Sequence, residues 1–313
     1  MAVYFLNMKT FGRANGSSAA SAAAYRAGER IRDERTGKTY DHSDRRDVMH
    51  KEIVLPTNLA GEEVAWAKDR ARLWNSAESA ETRKNARVAR EYLVALPAEL
   101  SPAQRLDLVR GFSQELSDRY RFAVDFAIHA PRDFPGSDPR NFHAHLLATT
   151  REVTAAGLGA KTTMELNDQD RGSRGLGPGI NELLHVRQRW AAVTNEALRE
   201  ANIATRIDHR TLEAQGIDRE ARPQIPRAAF EMERHGYHSV VAERMREEHR
   251  ARVQARLERS AAKPQSLEDI RRQAREDWLR LRQGHAEPTA AAPGAAATPG
   301  TATGRARDDD LAR

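Results

Sequence analysis

Residues 121–151, RFAVDFAIHAPRDFPGSDPRNFHAHLLATTR, decide the fold class. Phe122, Val124, Phe126 and Ile128 alternate with Ala123, Asp125, Ala127 and His129, the period of two expected of a half-buried strand. Phe142, Ala144, Leu146 and Ala148 alternate in the same way with His143, His145, Leu147 and Thr149. Between these arms, PRDFPGSDPRN carries three prolines, a glycine and several Asp and Asn, so it cannot continue a ladder and marks a polar loop. Antiparallel pairing of the arms sets His129 opposite His143, and three imidazoles then share one patch. Neutral imidazole is the commonest protein metal ligand, and three of them leave coordination positions open for a substrate oxygen. The competing reading is three polar residues on a solvated sheet face, because H-x-H alone often arises by accident.

Working outward toward the N-terminus, VYFLNMK (3–9) reads as a short strand, apolar on both faces and therefore expected at the centre of a sheet. A glycine-rich loop then leads into SAASAAAYRAGERIRDERTGK (18–38), expected as one alanine-rich helix closing near Thr36 and Gly37. Alanine supplies helix propensity without bulk, so this helix can approach its neighbour closely and leave Tyr25 as its one large side chain. Arg26, Arg30 and Arg32 follow, and guanidinium groups around a phenol suit a phosphate. The bland alternative is a tyrosine that buries its ring and caps its hydroxyl. His42 and His50 have no partners at ligand spacing and read as surface or DNA-contacting residues.

Lys51 to Leu55 forms a further strand stopped by Pro56. Residues 61–90 are expected to be helical, with Trp66, Leu73, Trp74 and Ala77 on one side. EYLVALP (91–97) is a strand with Glu91, Leu93 and Ala95 on one face. Glu91 there either orients a metal-bound imidazole, takes a proton from a nucleophile, or is a surface acid at a strand end. Ser101 and Pro102 cap a helix whose apolar stripe is Leu106, Val109, Phe112 and Leu116.

Beyond the hairpin, GLGAKTTMELNDQDRGSRGLGPG (157–179) belongs to a segment expected as a long loop whose Lys161, Arg171 and Arg174 could touch a nucleic-acid backbone. Residues 181–202 form a second strong helix, followed by RIDHRTLEAQGI (206–217), where His209 is expected to be structural, with DNA contact as the sharper alternative. Residues 243–259 and 267–283 alternate Arg with Glu and carry few large apolar residues, the pattern of solvent-facing or partner-binding helices. The Ala/Pro/Thr/Gly end, closing on RARDDDLAR, is expected to be disordered.

The 313 residues suffice for one generous domain or two ordinary ones. No cysteine occurs, which excludes disulfides, thiolate metal sites and a thiol nucleophile. No signal peptide and no apolar run near 18 residues is present, so a soluble cytoplasmic protein without membrane insertion is expected. Fifty-one Lys and Arg against 45 Asp and Glu give a net charge of +6, carried mostly by arginine, which suits a polyanionic partner or a salt-bridged surface equally. No Walker A spacing marks a helicase motor. A tyrosine beside arginines, with three histidines on a strand pair, fits metal-assisted transesterification of a DNA phosphodiester.

In order and spacing, the opening strand AVYFLNMKT, the SAASAAAYRAGE helix, RDERTGKTYDHS, AREYLVALP, AIH with FHAHLLATTR, and RIDHRTLEAQGI resemble the MobA/MobL (MobQ-type) plasmid-mobilisation relaxases of the HUH endonuclease class. Phe142 stands where that family often has proline. The resemblance implies an α+β fold with a five-stranded antiparallel sheet and flanking helices, over residues 1–220. A charged helical extension (221–283) and a tail (284–313) follow. It implies Tyr25 as nucleophile, Glu91 as an active-site acid, and His129, His143 and His145 as ligands of a divalent metal, Mg²⁺ or Mn²⁺. The implied substrate is single-stranded or supercoiled origin-of-transfer DNA, nicked through a 5′-phosphotyrosine intermediate and rejoined. Accessory mobilisation proteins and a type IV coupling protein are further expected partners. Arg26, Arg30, Arg151, Lys161 and Arg210 are the candidate DNA contacts. The alternatives are an HUH replication or transposition nuclease and a non-catalytic origin-binding protein of the same fold.

Overall fold

The computed structural model describes residues 2–59, 62–132, 137–262 and 267–284. The chain divides into two compact units, Met1–Ile217 and Asp218–Arg313. The first contains, in order, β1 (Leu6–Gly12), α1 (Ala19–Ala27), β2 (Arg30–Arg32), β3 (Thr39–Asp41), β4 (Val48–Val54), α2 (Arg70–Ser79) and β5 (Arg87–Ala95). Next come α3 (Pro102–Tyr120), β6 (Val124–His129), β7 (His143–Thr149), β8 (Arg151–Thr154), β9 (Gly157–Lys161), α4 (Asp168–Ser173) and α5 (Gly179–Glu200). The second unit holds α6 (Arg227–Arg234), α7 (Val240–Ala262) and α8 (Leu267–Gly284), with Arg246 of α7 paired to Glu233 of α6. Most of the tail expected to be disordered, and residues 133–136 of the hairpin loop, lie outside the described residues. Among the described residues no helix is long and apolar enough to cross a membrane.

A five-stranded sheet in the order β1-β5-β7-β6-β4, antiparallel at every pairing, organises the first unit. Its period-two side chains feed two cores. On one face Val124, Phe126, Ile128, Ala144, Leu146 and Val94 pack beneath α3 and α5, where Phe112 and Trp190 meet at 5.0 Å between ring centroids. On the other, Ala89, Ala123 and Leu147 meet the alanines of α1 and Leu73 and Trp74 of α2. The arms of the central hairpin are therefore covered on both sides rather than half-buried, because small side chains on the second face admit α1 closely.

Caps fix where the helices begin. Ser101 and Gln104 form a reciprocal capping box at α3. At α1, Ser18 accepts from the Ser21 amide, and Glu78 of α2 accepts from the Ala19 amide at 2.7 Å. Asp125, on the α1–α2 face of β6, accepts from Trp74 Nε1 and Arg70 Nε, each at 2.8 Å. Removing this buried carboxylate strands those donors, so Asp125→Ala should lower stability by roughly 3 kcal/mol in urea denaturation. An unchanged midpoint would show that the buried pair contributes nothing.

Several elements differ from the sequence reading. The first strand runs Leu6–Gly12 rather than 3–9 and lies at the sheet edge, not its centre; Val3 and Phe5 precede it and are exposed. The alanine-rich helix stops at Gly28 instead of continuing to residue 37. Gly28 has φ 58°, and a Cβ there would stand 3.1 Å from Val48 Cγ2, so only glycine fits this turn. The chain continues into the β2–β3 hairpin, with Ile31 buried between exposed Arg30 and Arg32. Residues 61–90 contain a 3-10 segment (Glu62–Lys68), α2 and the start of β5 rather than one helical stretch. The segment 151–179, expected as a loop, forms the β8–β9 hairpin and α4; Arg171 within it is buried, with its guanidinium on Thr163 O, Gly177 O and Glu182.

Candidate active site

The β6–β7 register sets His129 opposite His143 and places His145 opposite Ala127, so all three imidazoles project from the α1–α2 face. Their ring centroids are 5.3, 4.7 and 5.3 Å apart, and one nitrogen from each lies within 4.8 Å of the others. Each ring also has a nitrogen held by an oxygen acceptor. His129 Nε2 lies 2.8 Å from the Arg26 carbonyl, His143 Nδ1 3.0 Å from the Asn141 carbonyl, and His145 Nδ1 2.7 Å from Glu91 Oε1. A carbonyl or carboxylate oxygen only accepts, so each of these nitrogens carries the proton and its partner keeps a lone pair. Burial disfavours the imidazolium form throughout: it pulls His129 down to about 3 and lowers His143 and His145 as well. Three neutral donors converge on one point.

Glu91 reaches this group from β5, where it pairs with Leu147. Its carboxylate is fully buried and touches His145, Arg26 Nε and, at 2.8 Å, Lys9 Nζ. Burial opposes its ionisation, but the His145 hydrogen bond and the Arg26 charge prevail and hold Glu91 well below the usual carboxylate range. These contacts orient an imidazole.

Tyr25 occupies the last turn of α1, half-buried. Its hydroxyl accepts from Arg132 at 2.8 Å, its ring lies 4.3 Å from the Arg45 guanidinium carbon, and His42 meets it edge-on at 5.3 Å. The next residue, Arg26, supplies the carbonyl that anchors His129. Asp47 joins Arg45 and Arg132. Although burial opposes it, the hydrogen bonds and charge of the Arg45 fork bring Asp47 down to about 2.

The arginines beside Tyr25 are thus Arg45 and Arg132, distant in sequence. Neither Arg45, Asp47 nor Arg132 stands out from spacing alone; the one local signal is the charged run DRRD at 44–47. Of the candidate DNA contacts, Arg26 is buried against Glu91 and the Ala22 carbonyl. Arg30 is exposed on β2, 3.9 Å from Asp41. Arg151 and Lys161 share Glu81 beyond the opposite end of β7 from His143, and Arg210 pairs with Asp208 after α5. The geometry does not gather these five into one surface with the histidines.

The model of the MobA/MobL family matches residues 17–235. The mobilization protein MobL of Acidithiobacillus ferridurans is 35% identical over 287 residues, covering 83% of this chain and 73% of that protein. The 43 kDa relaxation protein of Salmonella typhimurium is 35% identical over 234 residues; the match covers 70% of this chain and spans 57% of that longer relative. A solved structure described as "Molecular Basis of Vancomycin Resistance Transfer in Staphylococcus aureus" aligns with a TM-score of 0.54 and 30% identity, over 67% of this chain and 100% of that one.

Proposed function

The chain belongs to the MobA/MobL family, and we propose that it is an HUH-class relaxase that cuts one strand of a plasmid transfer origin through Tyr25 and later rejoins it. The observation that carries this reading is the joining of a half-buried tyrosine to a three-histidine cluster through the Arg26 carbonyl. The nicking domain in this reading spans residues 1–220, with the charged helices 221–283 as an extension. Its setting is the bacterial cytoplasm, where accessory mobilisation proteins and a coupling protein would receive the cut strand.

The residues present fit a divalent cation. Three imidazoles are held neutral by burial, each with one ring nitrogen locked by an acceptor and the other left with its lone pair, which is the arrangement that orients a histidine ligand. His129, His143 and His145 would hold Mg²⁺ or Mn²⁺, which when bound supplies Lewis-acid charge to the scissile phosphate.

The chain's own groups do the rest. Tyr25 Oη forms the bond to phosphorus as the bond from phosphorus to O3′ breaks. The phenol gives up its proton and the departing O3′ gains one, leaving a 3′-hydroxyl and a 5′-phosphotyrosine. Arg132, half-exposed and already donating to Oη, favours the phenolate and stands where a phosphate would enter. Because the ester is retained on Tyr25, the 3′-hydroxyl can attack it and restore the strand. Glu91 acts through His145, fixing its ring and tautomer rather than meeting the DNA.

Glu91→Gln should therefore weaken Mn²⁺ binding by about 10-fold in calorimetric titration. An affinity equal to the parent chain's would remove Glu91 from this role. The reading as a whole is tested by nicking of supercoiled plasmids that carry DNA flanking the gene: site-specific relaxation with Mn²⁺ supports it, and origin binding without any cut in such plasmids favours a non-catalytic binder.

A further inference from the structure

We propose that Arg45 is a positioning residue that ties the Tyr25 turn to the histidine cluster and competes with a bound cation for His129 Nδ1; this rests on the proposed roles of Tyr25 as nucleophile and of the histidines as metal ligands. The last three carbonyls of α1 each accept from a side chain outside the helix. The Tyr25 carbonyl accepts from Arg45, that of Arg26 from His129 at 2.8 Å, and that of Ala27 from Lys51 at 3.0 Å. Cationic or polar donors at a helix C-terminus fix both its satisfaction and its position.

Arg45 does more than cap. Its side chain is 10% exposed, and one guanidinium meets four groups at once. It donates to the Tyr25 carbonyl, lies 4.3 Å from the Tyr25 ring, grips both oxygens of Asp47, and brings Nη2 to 3.3 Å from His129 Nδ1. His129 Nε2 holds its proton against the Arg26 carbonyl, so Nδ1 presents the lone pair that Arg45 faces. That lone pair is the one His129 has to offer a metal. A cation must displace Arg45 from Nδ1 and accept a guanidinium charge nearby, while the bonds from Arg45 to Asp47 and to the Tyr25 carbonyl do not involve Nδ1 and persist. Only a planar fork with five donors serves all these partners, so lysine cannot replace it.

The opposed consequences separate this role from a structural one. In the full-length chain, Arg45→Gln should bind Mn²⁺ alone about tenfold tighter than the parent in calorimetric titration, since both the competitor and the like charge are gone. At saturating Mn²⁺ the same variant should cut a single-stranded origin oligonucleotide at least about tenfold more slowly in single turnover, with oligonucleotide affinity within about twofold. Arg45→Lys, which retains the charge but not the fork, should bind Mn²⁺ with an affinity between those of the parent and Arg45→Gln and cut as slowly as Arg45→Gln; it carries the cleavage test if the Gln variant does not fold. Mn²⁺ binding unchanged or weakened in Arg45→Gln, or parental cleavage rates in either variant, would overturn the proposal. If the parent chain binds Mn²⁺ but cuts no DNA, the relaxase reading and the link from Arg45 to cleavage both fall, and the titration alone still decides whether Arg45 competes for His129.

Discussion

Tyr25→Phe should fold, bind single-stranded origin DNA with parental affinity, and lose cleavage by about a thousandfold or more. Phenylalanine keeps the ring that stacks against Arg45 and meets His42, and the backbone carbonyl still accepts from Arg45. The hydroxyl's bond to Arg132 goes, but Arg132 is half-exposed and retains Asp47, so its guanidinium is not stranded. The variant lacks only the atom that would bond to phosphorus. Thermal melting, oligonucleotide affinity and cleavage rate should therefore separate cleanly. Cleavage near the parental rate would mean that another group is the nucleophile.

His129→Ala should have the second-largest effect, weakening Mn²⁺ binding by at least about a hundredfold and cleavage with it. His129 serves two structures at once: its Nδ1, beside Arg45, keeps the lone pair it can offer a metal, and its Nε2 closes the end of α1 on the Arg26 carbonyl. Truncation should also cost about 1–3 kcal/mol, because a buried carbonyl loses its donor. The pH dependence has a defined sign. In the unfolded chain His129 binds a proton below about 6.5, whereas in the folded chain burial holds it neutral down to about 3. Between those values the unfolded state binds more protons, so the stability of the metal-free protein should fall as pH drops from 6.5 toward 3. His129→Ala should flatten part of that fall when urea unfolding is compared at pH 7 and pH 5. Parental Mn²⁺ affinity in this variant would exclude His129 as a ligand.

The parts of the molecule governed by short periods were legible in the sequence. Alternation placed the three histidines on one strand face and read Glu91 as the start of another strand, which the fold then pairs with β7, and the capping pattern at Ser101 marked the start of α3. The family resemblance supplied the strand count of the sheet, which alternation alone does not give. Local propensity misled at Gly28: the alanine run and the following Arg and Glu read as one helix, yet close packing of Val48 and a left-handed turn end it there. The period-two signal Arg30-Ile31-Arg32 was present but too short to outweigh helix propensity. Contacts between residues far apart in sequence were not legible. Spacing put Arg26, Arg30 and Arg32 around the Tyr25 phenol, whereas the fold brings Arg45 and Arg132 there and turns Arg26 inward to Glu91. No periodicity encodes that exchange, because it depends on Arg45 from the turn between β3 and β4, and Arg132 from beyond β6, meeting the end of α1.

The most direct test is a denaturing gel of the full-length chain incubated with Mn²⁺ and a 3′-labelled single-stranded origin oligonucleotide. The label should migrate with the protein, and proteolysis should place it on the peptide that contains Tyr25. Cleavage that releases a labelled strand with a free 5′-phosphate and no protein attached would contradict the proposed chemistry.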